Sequence, residues 1–378
     1  MLPVAIVGGG PTGLALALHL RQAGIDCEVI DARPAGAARN DRRVIALSHG
    51  SRQILERIDA WRGIASTPID AIHISQQGSF GRTLLRAQES GVPTLGHVVE
   101  AGLLGMALTQ AATTAGIPIR HEARVTHVST GDDHAMLRCA TLRGSEEIRA
   151  RLVAWAEGAI DGEVGIVRRE YDQQAIVATV QVRESDRGVA YERFTASGPV
   201  ALLPLGSRYA LVWTTPANET DSLLQLDDDN FLARLDGVFS GRFAFTAVSE
   251  RTAFPLGLRY RHTPVSKRGV WLGNAAQTLH PVAGQGFNLA LRDVSQLARL
   301  LRGHSVDCGD DALLARHAAA RRLDRQGAVG FTDGLIRLFG MQGGVARRAR
   351  GAGLLTLDLL PAVRGFIAQR MIFGTRSW

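Results

Sequence analysis

Cysteine, lysine and aromatic residues are scarce in this chain of 378 residues, and their scarcity narrows what the chain can be. The three cysteines, Cys27, Cys139 and Cys308, lie far apart and include no CxxC pair. We therefore expect neither a disulfide framework nor a metal site, and the pattern favours a reducing compartment. Aromatic residues make up only 6% of the chain and do not interleave with the basic residues, so nucleic acid is not an expected partner.

Basic charge is concentrated at one end of the chain. The formal net charge is +7, and a single lysine, Lys267, leaves arginine to supply nearly all of the positive charge. Residues 301–378 contain 12 Arg and 6 Asp but no Glu or Lys, so they carry +6 of the +7. For the apolar and arginine-rich residues 331–378 two interpretations stay open. They form either a basic surface that contacts an anionic membrane or a lipid-carrying accessory protein, or a helical layer packed on the fold.

Long hydrophobic runs are also missing. No stretch of about 18 uncharged apolar residues occurs, so we expect no membrane-spanning helix. No signal peptide is recognised, so the sequence predicts a cytoplasmic protein. If residues 331–378 form a membrane-contacting surface, the protein would be peripheral to the inner membrane. Hydrophobic residues at 46% and charged residues at 21% are typical of a folded protein of two or three domains, or of one discontinuous unit.

The first thirty residues follow the order of a nucleotide-binding βαβ unit. The order is a strand (Leu2–Val7), a GxGxxG loop (Gly8, Gly10 and Gly13), a helix (14–23), a strand (25–30) and an acid (Asp31). The glycines allow a tight turn, the approach of a pyrophosphate to the backbone and close packing of helix on strand. The acid can accept hydrogen bonds from a ribose. The pattern fits FAD and NAD equally.

The middle of the chain is typical of a second, sheet-rich domain. Predicted strands cover 71–75, 94–99, 117–128, 135–142, 152–156, 175–182, 191–195, 200–205 and 209–214, with a helix over 100–115 and helices returning after Asp227. The later strands are expected to be antiparallel. Because no linker separates the two kinds of pattern, we expect the domains to be interleaved.

A second glycine cluster lies within residues 273–293. A strand over 270–272 precedes it, and Gly284 and Gly286 come at the start of a helix predicted over 287–301. Backbone amides at such a helix start can face an electron-rich, partly anionic ring, as they face phosphate elsewhere.

Together these motifs resemble the FAD-dependent aromatic-ring monooxygenases of the p-hydroxybenzoate hydroxylase type. The sequence is most similar to the ubiquinone-biosynthesis hydroxylases, and among these to the branch that acts on 2-polyprenyl-6-methoxyphenol. The run 273–293 carries the resemblance most specifically. Further matching stretches are 41–48, 68–81, 95–100, 192–195, 198–199, 203–205, 253–256, 332–335 and 359–364.

The resemblance implies an α/β fold. A Rossmann-like FAD-binding domain would be interleaved with a mainly antiparallel-sheet substrate domain and followed by a C-terminal helical segment. The implied boundaries are 1–70, 98–165 and 255–330 for the FAD-binding domain, 71–97 and 166–254 for the substrate domain, and 331–378 for the helical segment.

The resemblance also implies which residues would hold FAD. Gly8, Gly10, Gly13 and Asp31 would bind the ADP half, Arg43 the ribityl and pyrophosphate region, and Val125 the adenine through its backbone. Asn274 stands where the family usually has an Asp that reaches a ribityl hydroxyl. The isoalloxazine would be lined by Pro281, Gly284, Gln285, Gly286 and Asn288.

The sequence departs from the family pattern at residues 156–162. Many members have an Asp-Gly followed by Ser and Arg, a motif tied to FAD and nicotinamide contacts. Here the acid is Glu157, and the Ser and Arg are missing. No second Rossmann motif is present for a resident nicotinamide, which suits NADH or NADPH as a transient electron donor.

The resemblance implies hydroxylation of a polyprenylated phenol with NAD(P)H and O2, with accessory proteins of a quinone-biosynthesis complex as further partners. A base near the phenol would raise the nucleophilicity of its ring. We predict His280 for this role because it adjoins the second glycine loop, and His97 and Tyr191 are further candidates; each also fits a structural role. Two other functions stay open. One is a different FAD reaction, such as reduction of an isoprenoid lipid, and the other is a catalytically silent subunit.

Overall fold

A computed structural model of the chain describes residues 1–78, 80–158, 165–304, 306–341 and 343–375. The strands in these ranges are β1 (Leu2–Val7), β2 (Cys27–Ile30), β3 (Val44–Ser48), β4 (Ser66–Ile69), β5 (Ala71–Gln76), β6 (Arg82–Arg86), β7 (Gly96–Glu100), β8 (Ile119–Arg120), β9 (Arg124–Thr130), β10 (Ala135–Thr141), β11 (Gly144–Trp155), β12 (Ile166–Val182), β13 (Val189–Phe194), β14 (Pro199–Leu205), β15 (Arg208–Pro216), β16 (Phe245–Val248), β17 (Thr252–Arg261), β18 (Val265–Ser266), β19 (Gly269–Trp271) and β20 (Gln277–Thr278). The α-helices are α1 (Pro11–Gln22), α2 (His49–Arg57), α3 (Ala101–Thr114), α4 (Ala217–Leu224), α5 (Asp228–Phe239), α6 (Gln285–Leu301), α7 (Asp311–Gly340), α8 (Gly344–Leu359) and α9 (Pro361–Phe373).

The first sheet is the nucleotide-binding one. Its strand order is β18-β19-β11-β1-β2-β8, and β10 and β9 extend it beside β11. The strands β19, β11, β1, β2 and β8 pair in parallel. Strand β1 is buried on both faces, and its sequence is correspondingly apolar. Val4 and Ile6 pack in one cluster with α1 and α6, and Ala5 and Val7 pack in another with β9 and β10.

The second sheet is larger and mainly antiparallel. Its order is β20-β17-β12-β15-β14-β13-β5-β6, with β16 beside β12, and only the β13–β5 pair among these is parallel in the described part of the chain. Helix α5 covers one face, where Phe231 and Leu235 pack on Tyr209 and Trp213. The opposite face is left for the site described below. A small sheet, β3-β7-β4, is formed by strands that lie between β2 and β8 in the chain, with β5 and β6 of the second sheet inserted between β4 and β7.

The predicted fold class is confirmed, with a parallel nucleotide-binding sheet, an antiparallel sheet and C-terminal helices. The assigned domain boundaries stay a prediction; β17 and β20 pair within the antiparallel sheet. Helices were expected to return after about Asp227, but they return at Ala217 with α4. This helix follows directly on Pro216 and buries only Thr220 and Leu223, so its apolar period is too weak to read from sequence.

A buried ionic network joins α6 to α7 and to the chain after α9. Arg292 donates to Asp324 at 2.7 Å, and Arg321 donates to Asp293 at 2.6 Å and also to Asp324. Asp324 further accepts from the backbone nitrogen of Thr375 at 3.2 Å. Both carboxylates have guanidinium partners, although Nη1 of Arg292 is buried without a partner among the described residues. The paired charges fix how α7 and the chain after α9 lie on α6.

No single described helix is both long enough and apolar enough to cross a bilayer. The helix pair Arg348–Leu359 and Pro361–Phe373 meets these conditions only when its two members, bent by 94°, are taken together.

Candidate functional site

The two glycine loops, far apart in sequence, border one cavity of about 1120 Å³. Gly8 and Gly10 of the first loop and Gly284 and Gly286 of the second all line this central cavity. The sequence could predict each loop separately, and the fold brings them together because α1 and α6 pack side by side.

The first loop turns sharply between β1 and α1. A Cβ atom at Gly13 would lie 2.0 Å from the carbonyl oxygen of Gly8, so only glycine fits there and its role is packing rather than contact with the cavity. Gly10 is the N-cap of α1, and a Cβ atom there would meet nothing within 4 Å. The positive end of α1 therefore opens into the central cavity beside bare backbone, an arrangement suited to a phosphate group.

Asp31 follows directly on β2 and borders the cavity, and its carboxylate already has a hydrogen-bond partner. Its carboxylate accepts hydrogen bonds from the Arg33 side chain at 3.1 and 2.9 Å and from the Arg33 backbone nitrogen at 3.1 Å. Arg33 also lines the cavity. A ribose bound here would share Asp31 with Arg33, a residue that sequence reasoning missed.

Arg43 also lines the cavity and is held in place by Asp41. The two side chains form paired hydrogen bonds of 2.9 and 2.6 Å. The hydrogen bond to Asp41 raises the pKa of Arg43. Although burial works in the opposite direction, the hydrogen bonds from Arg43 lower the pKa of Asp41. The pair therefore presents a fixed guanidinium at the nucleotide end of the cavity.

The second glycine loop is held in place by hydrogen bonds from Asn288, on the side away from the cavity. Gly284 has a φ of 59°, a left-handed conformation that favours glycine, and it caps α6. Asn288 donates to the carbonyl oxygens of Gly284 at 2.7 Å and Ala46 at 3.0 Å, and accepts from the Ser48 backbone nitrogen at 2.8 Å. The structure thus places Asn288 behind the loop, where it holds the loop against β3.

Other predicted FAD residues divide between the cavity wall and its surroundings. Asn274 and Pro281 line the cavity. Gln285 is buried beside α9, where it donates to the Met371 carbonyl oxygen at 3.5 Å. Val125 lies on β9 against the apolar cluster behind β1, outside the cavity wall.

The motif predicted at residues 156–162 is only partly described. Ala156, Glu157 and Gly158 line the cavity, and residues 159–162 lie outside the described ranges.

His280 does not reach the cavity wall. It is buried, its Nδ1 accepts from the Val282 backbone nitrogen at 3.2 Å, and its ring packs edge-on against Tyr171. Burial lowers the pKa of His280 to about 4, so the ring is neutral near pH 7. This placement favours a structural role for His280 beneath the second loop.

The other two candidate bases are engaged in hydrogen bonds. His97 lies 3.0 Å from the Arg52 guanidinium, and burial together with Arg52 lowers the pKa of His97 to about 4. Tyr191 lines the cavity, but its hydroxyl donates to Asp186. Burial and that hydrogen bond raise the pKa of Tyr191.

The far half of the cavity is apolar and has two walls. One wall is the free face of the antiparallel sheet, and the other comes from the last three helices. The sheet contributes Ile72, Ile74, Ala190, Phe194, Ala201, Leu203 and Val212, and the helices contribute Leu335, Phe339, Leu354, Leu357, Ile367 and Met371. Phe194 and Phe339 join the walls, with stacked rings 3.6 Å apart. An elongated apolar ligand fits this half.

Glu192 is the acidic residue of the sheet wall, to which Thr214 adds a hydroxyl group, while Arg350 lines the cavity from α8. Glu192 lies on β13 between Ile74 of β5 and Ala201 of β14, and it lines the cavity. Burial raises the pKa of Glu192 to about 7, and among the described residues no ion pair involves its carboxylate. A carboxyl with this pKa, facing an apolar cavity, is suited to accept a proton from a bound phenol.

Sequence reasoning missed Glu192 although a usable signal was present. Ala190, Glu192 and Phe194 alternate along β13, so all three lie on one face of the strand. One carboxylate on an otherwise apolar strand face indicates an acid in an apolar environment, which is unusual outside functional sites.

The cavity fits FAD. The N-termini of α1 and α6 both open into it, and a Cβ atom at Gly10 or Gly286 would meet no heavy atom within 4 Å. Bare backbone amides are thus available at two separate places, as a dinucleotide with an attached ring system requires. In the described ranges no group of three or more His, Cys, Asp or Glu residues could hold a metal ion.

Comparison with known proteins gives a consistent result. The family described as FAD binding domain matches residues 1–332. The ubiquinone hydroxylase UbiL of Rhodospirillum rubrum is 35% identical, covering 97% of this chain and 89% of UbiL. The 3-demethoxyubiquinol 3-hydroxylase of Escherichia coli is 30% identical over 85% of each chain. The mouse ubiquinone biosynthesis monooxygenase COQ6 is 27% identical, covering 89% of this chain and 83% of COQ6.

Solved structures agree on the fold. The p-nitrophenol 4-monooxygenase PnpA of Pseudomonas putida superposes with a TM-score of 0.80 at 16% identity, covering 100% of this chain and 99% of PnpA. The PqsL protein of Pseudomonas aeruginosa gives a TM-score of 0.76 at 21% identity, covering 94% of this chain and 99% of PqsL.

Proposed function

This chain belongs to the FAD binding domain family of flavoproteins, and from that premise we propose that it hydroxylates the ring of a polyprenylated phenol in ubiquinone biosynthesis. It is an FAD-dependent aromatic-ring monooxygenase that uses O2 and, as electron donor, NADH or NADPH. The observation that carries the proposal is the single cavity that joins two glycine loops to a long apolar half. The narrower assignment to the branch acting on 2-polyprenyl-6-methoxyphenol stays a prediction.

The residues of the chain supply binding, orientation and exclusion of water. Gly8, Gly10 and Arg43 would hold the nucleotide half of FAD, and Gly284 and Gly286 the ring system. Bound FAD supplies the redox chemistry, in which NAD(P)H provides two electrons, one atom of O2 enters the phenol ring and the other leaves as water.

The apolar half would hold the ring and the prenyl chain away from water. The stacked pair Phe194 and Phe339 closes the space between sheet and helices. Glu192 would take the phenol proton, which raises electron density on the ring carbons that react. The phenol ring would thus be deprotonated, and so electron-rich, in a site that excludes water.

The test is NAD(P)H oxidation measured with and without a short-chain 2-prenylphenol, with product analysis under labelled dioxygen. We expect substrate-stimulated oxidation and one labelled oxygen atom in the product. A reduced isoprenoid product without labelled oxygen would favour the reductase function instead. A protein that binds FAD but oxidises no NAD(P)H with any phenol would favour the silent-subunit function.

We also propose that the protein lies peripherally on the inner membrane, on its cytoplasmic side, through the turn between α8 and α9. Leu359, Val363 and Phe366 are exposed there, and Arg370 lies 5.4 Å from the Phe366 ring. The other faces of the same two helices line the central cavity through Leu357 and Ile367. A prenyl chain would pass from the membrane to the cavity beside this turn. Accessory proteins of a quinone-biosynthesis complex stay a prediction.

Replacing both Leu359 and Phe366 with Ser is expected to reduce co-sedimentation with anionic phospholipid vesicles by about tenfold, because two exposed apolar side chains are lost. The matched control is Leu142→Ser, since Leu142 is 83% exposed but lies at the distant β10–β11 turn. Equal sedimentation of both variants and the wild type would exclude this surface as the membrane contact.

A further inference from the structure

A second pocket, of about 660 Å³, lies on the other side of the antiparallel sheet from the central cavity. Ile72 and Ile74 of β5 face the central cavity, whereas His73 and Ser75, alternating with them, face this second pocket. Helix α8 packs against β6 at the sheet edge and contributes to both, with Leu355 at the second pocket. We call this space the arginine pocket because Arg82, Arg193 and Arg242 line it.

The positive charge of the arginine pocket is only partly neutralised. Arg242 approaches Asp186 at 3.5 Å, but within the described part of the chain neither Arg82 nor Arg193 forms an ion pair. Asp358 at the rim is shared with Arg364, whose Nη1 lies 3.7 Å away. The pocket therefore holds more guanidinium groups than carboxylates.

Arg193 is positioned by neutral hydroxyl groups. Its Nη1 donates to Ser75 Oγ at 3.2 Å and its Nη2 to Ser240 Oγ at 2.9 Å. Its Nε is buried and has no hydrogen-bond partner among the described residues. A buried guanidinium N–H without an acceptor costs free energy that a bound oxyanion would recover.

The three arginines also act on a common neighbour. Burial lowers the pKa of His73, and the nearby charges of Arg242, Arg82 and Arg193 lower it further. Its Nε2 is buried and without a partner in the described ranges. Three positive charges close enough to act on one imidazole repel each other, and an anion between them would relieve that repulsion.

We propose that the arginine pocket binds a phosphate group in the form of a monoester. Planar guanidinium groups match phosphate oxygens in pairs, and a doubly charged phosphate balances two unpaired arginines better than a single carboxylate does. The pocket is open to solvent and shares α8 with the apolar turn that carries Leu359 and Phe366. A phospholipid headgroup and a soluble phosphate compound are the two sources of this chemistry. The site lies outside the catalytic cavity and goes beyond the proposed hydroxylation.

The test is a calorimetric titration of the FAD-loaded protein with inorganic phosphate at constant ionic strength, on the wild type and on Arg82→Gln. Arg82 is exposed, so its replacement preserves the fold. We expect Arg82→Gln to weaken phosphate binding at least about tenfold, through loss of one charge-assisted contact. Arg193→Gln, checked for folding by circular dichroism, is expected to weaken it further. The matched control is Arg143→Gln, an exposed arginine at the β10–β11 turn, which should bind like the wild type.

A second experiment, with phospholipid vesicles, distinguishes the two sources of the phosphate group. If phosphatidylcholine vesicles bind the protein only when they contain phosphatidic acid, and inorganic phosphate competes, the site takes a lipid headgroup. If inorganic phosphate binds but does not compete with these vesicles, the site takes a soluble phosphate compound, and the proposal still holds. The proposal is overturned if the wild type shows no saturable phosphate binding, or if Arg82→Gln binds as tightly as Arg143→Gln. None of these measurements depends on hydroxylation, so failure here leaves the proposed activity untouched.

Discussion

Replacing Glu192 with Gln is expected to lower the rate of phenol hydroxylation by about 10² to 10⁴-fold, the usual contribution of a positioned proton acceptor. Bound FAD should be retained, because Glu192 lies on strand β13 of the antiparallel sheet and belongs to neither glycine loop. Gln keeps the volume and the hydrogen-bonding oxygen of the side chain but cannot take a proton.

The pH dependence provides a readout that a merely structural residue would not change. Burial raises the pKa of Glu192 to about 7, so its carboxylate fraction, and with it the rate, should rise as the pH increases through about 7. In Glu192→Gln the residual rate should not show this rise with pH, which we call the pH limb. The measurement is the rate of product formation across the pH range at saturating NAD(P)H.

Two further variants serve as controls for Glu192. Glu192→Asp keeps a carboxyl and should retain a pH limb at reduced rate. His280→Ala should give a normal hydroxylation yield, because His280 lies behind the cavity wall. A wild-type rate and pH profile in Glu192→Gln, or a large loss of yield in His280→Ala, would contradict this assignment of the proton acceptor.

Replacing Gly10 with Leu is expected to weaken FAD binding at least about 100-fold, or about 2.7 kcal/mol. A Cβ atom at Gly10 meets nothing within 4 Å, so the new side chain fits the folded protein and extends into the central cavity. There it would occupy the space at the N-terminus of α1 where the pyrophosphate approaches. The measurement is fluorescence titration of the apoprotein with FAD, with the melting temperature as a check of folding.

The matched control is Gly327→Leu. Gly327 is exposed on α7, a Cβ atom there also meets nothing within 4 Å, and it does not line the cavity. The same change in side chain therefore tests the general effect of adding a leucine. Similar FAD affinity in Gly10→Leu and Gly327→Leu would exclude the first loop as a pyrophosphate site.

The nucleotide-binding unit was predictable because its signals are local. Strand β1 has the predicted bounds Leu2–Val7, and α1 begins at Pro11, three residues before the predicted start, because proline is favoured in a first helical turn. The second glycine loop was likewise found at the start of a helix, and α6 begins at Gln285.

Residues that act through tertiary contacts were harder to place. Asn288 and Gln285 belong to a motif that the sequence shows clearly, yet the fold turns both side chains away from the cavity to brace the second loop. Arg33 was missed because its partner Asp31 was read as free for a ribose. Sequence spacing identifies such residues but does not say which side of a loop each one faces.

For helices α8 and α9, too, the sequence did not show which side each apolar residue faces. Apolar pairs in residues 331–378 allowed either a membrane surface or a packed layer. In the structure, Leu354 and Leu357 line the cavity while Leu355 and Leu359 are exposed, so one helix presents apolar residues on two sides. Periodicity could not separate the two interpretations, because the wall of an apolar ligand cavity and a surface that contacts a membrane both favour apolar residues.

The flavin content of the purified protein shows whether both glycine loops bind one FAD. Gly286, like Gly10, lines the central cavity and has open space where a Cβ atom would lie. The wild type and Gly327→Leu should purify with one FAD per chain, and Gly10→Leu and Gly286→Leu should each purify nearly colourless while remaining folded. Full flavin occupancy in either Gly10→Leu or Gly286→Leu would contradict the account, because that loop would then not contact the cofactor.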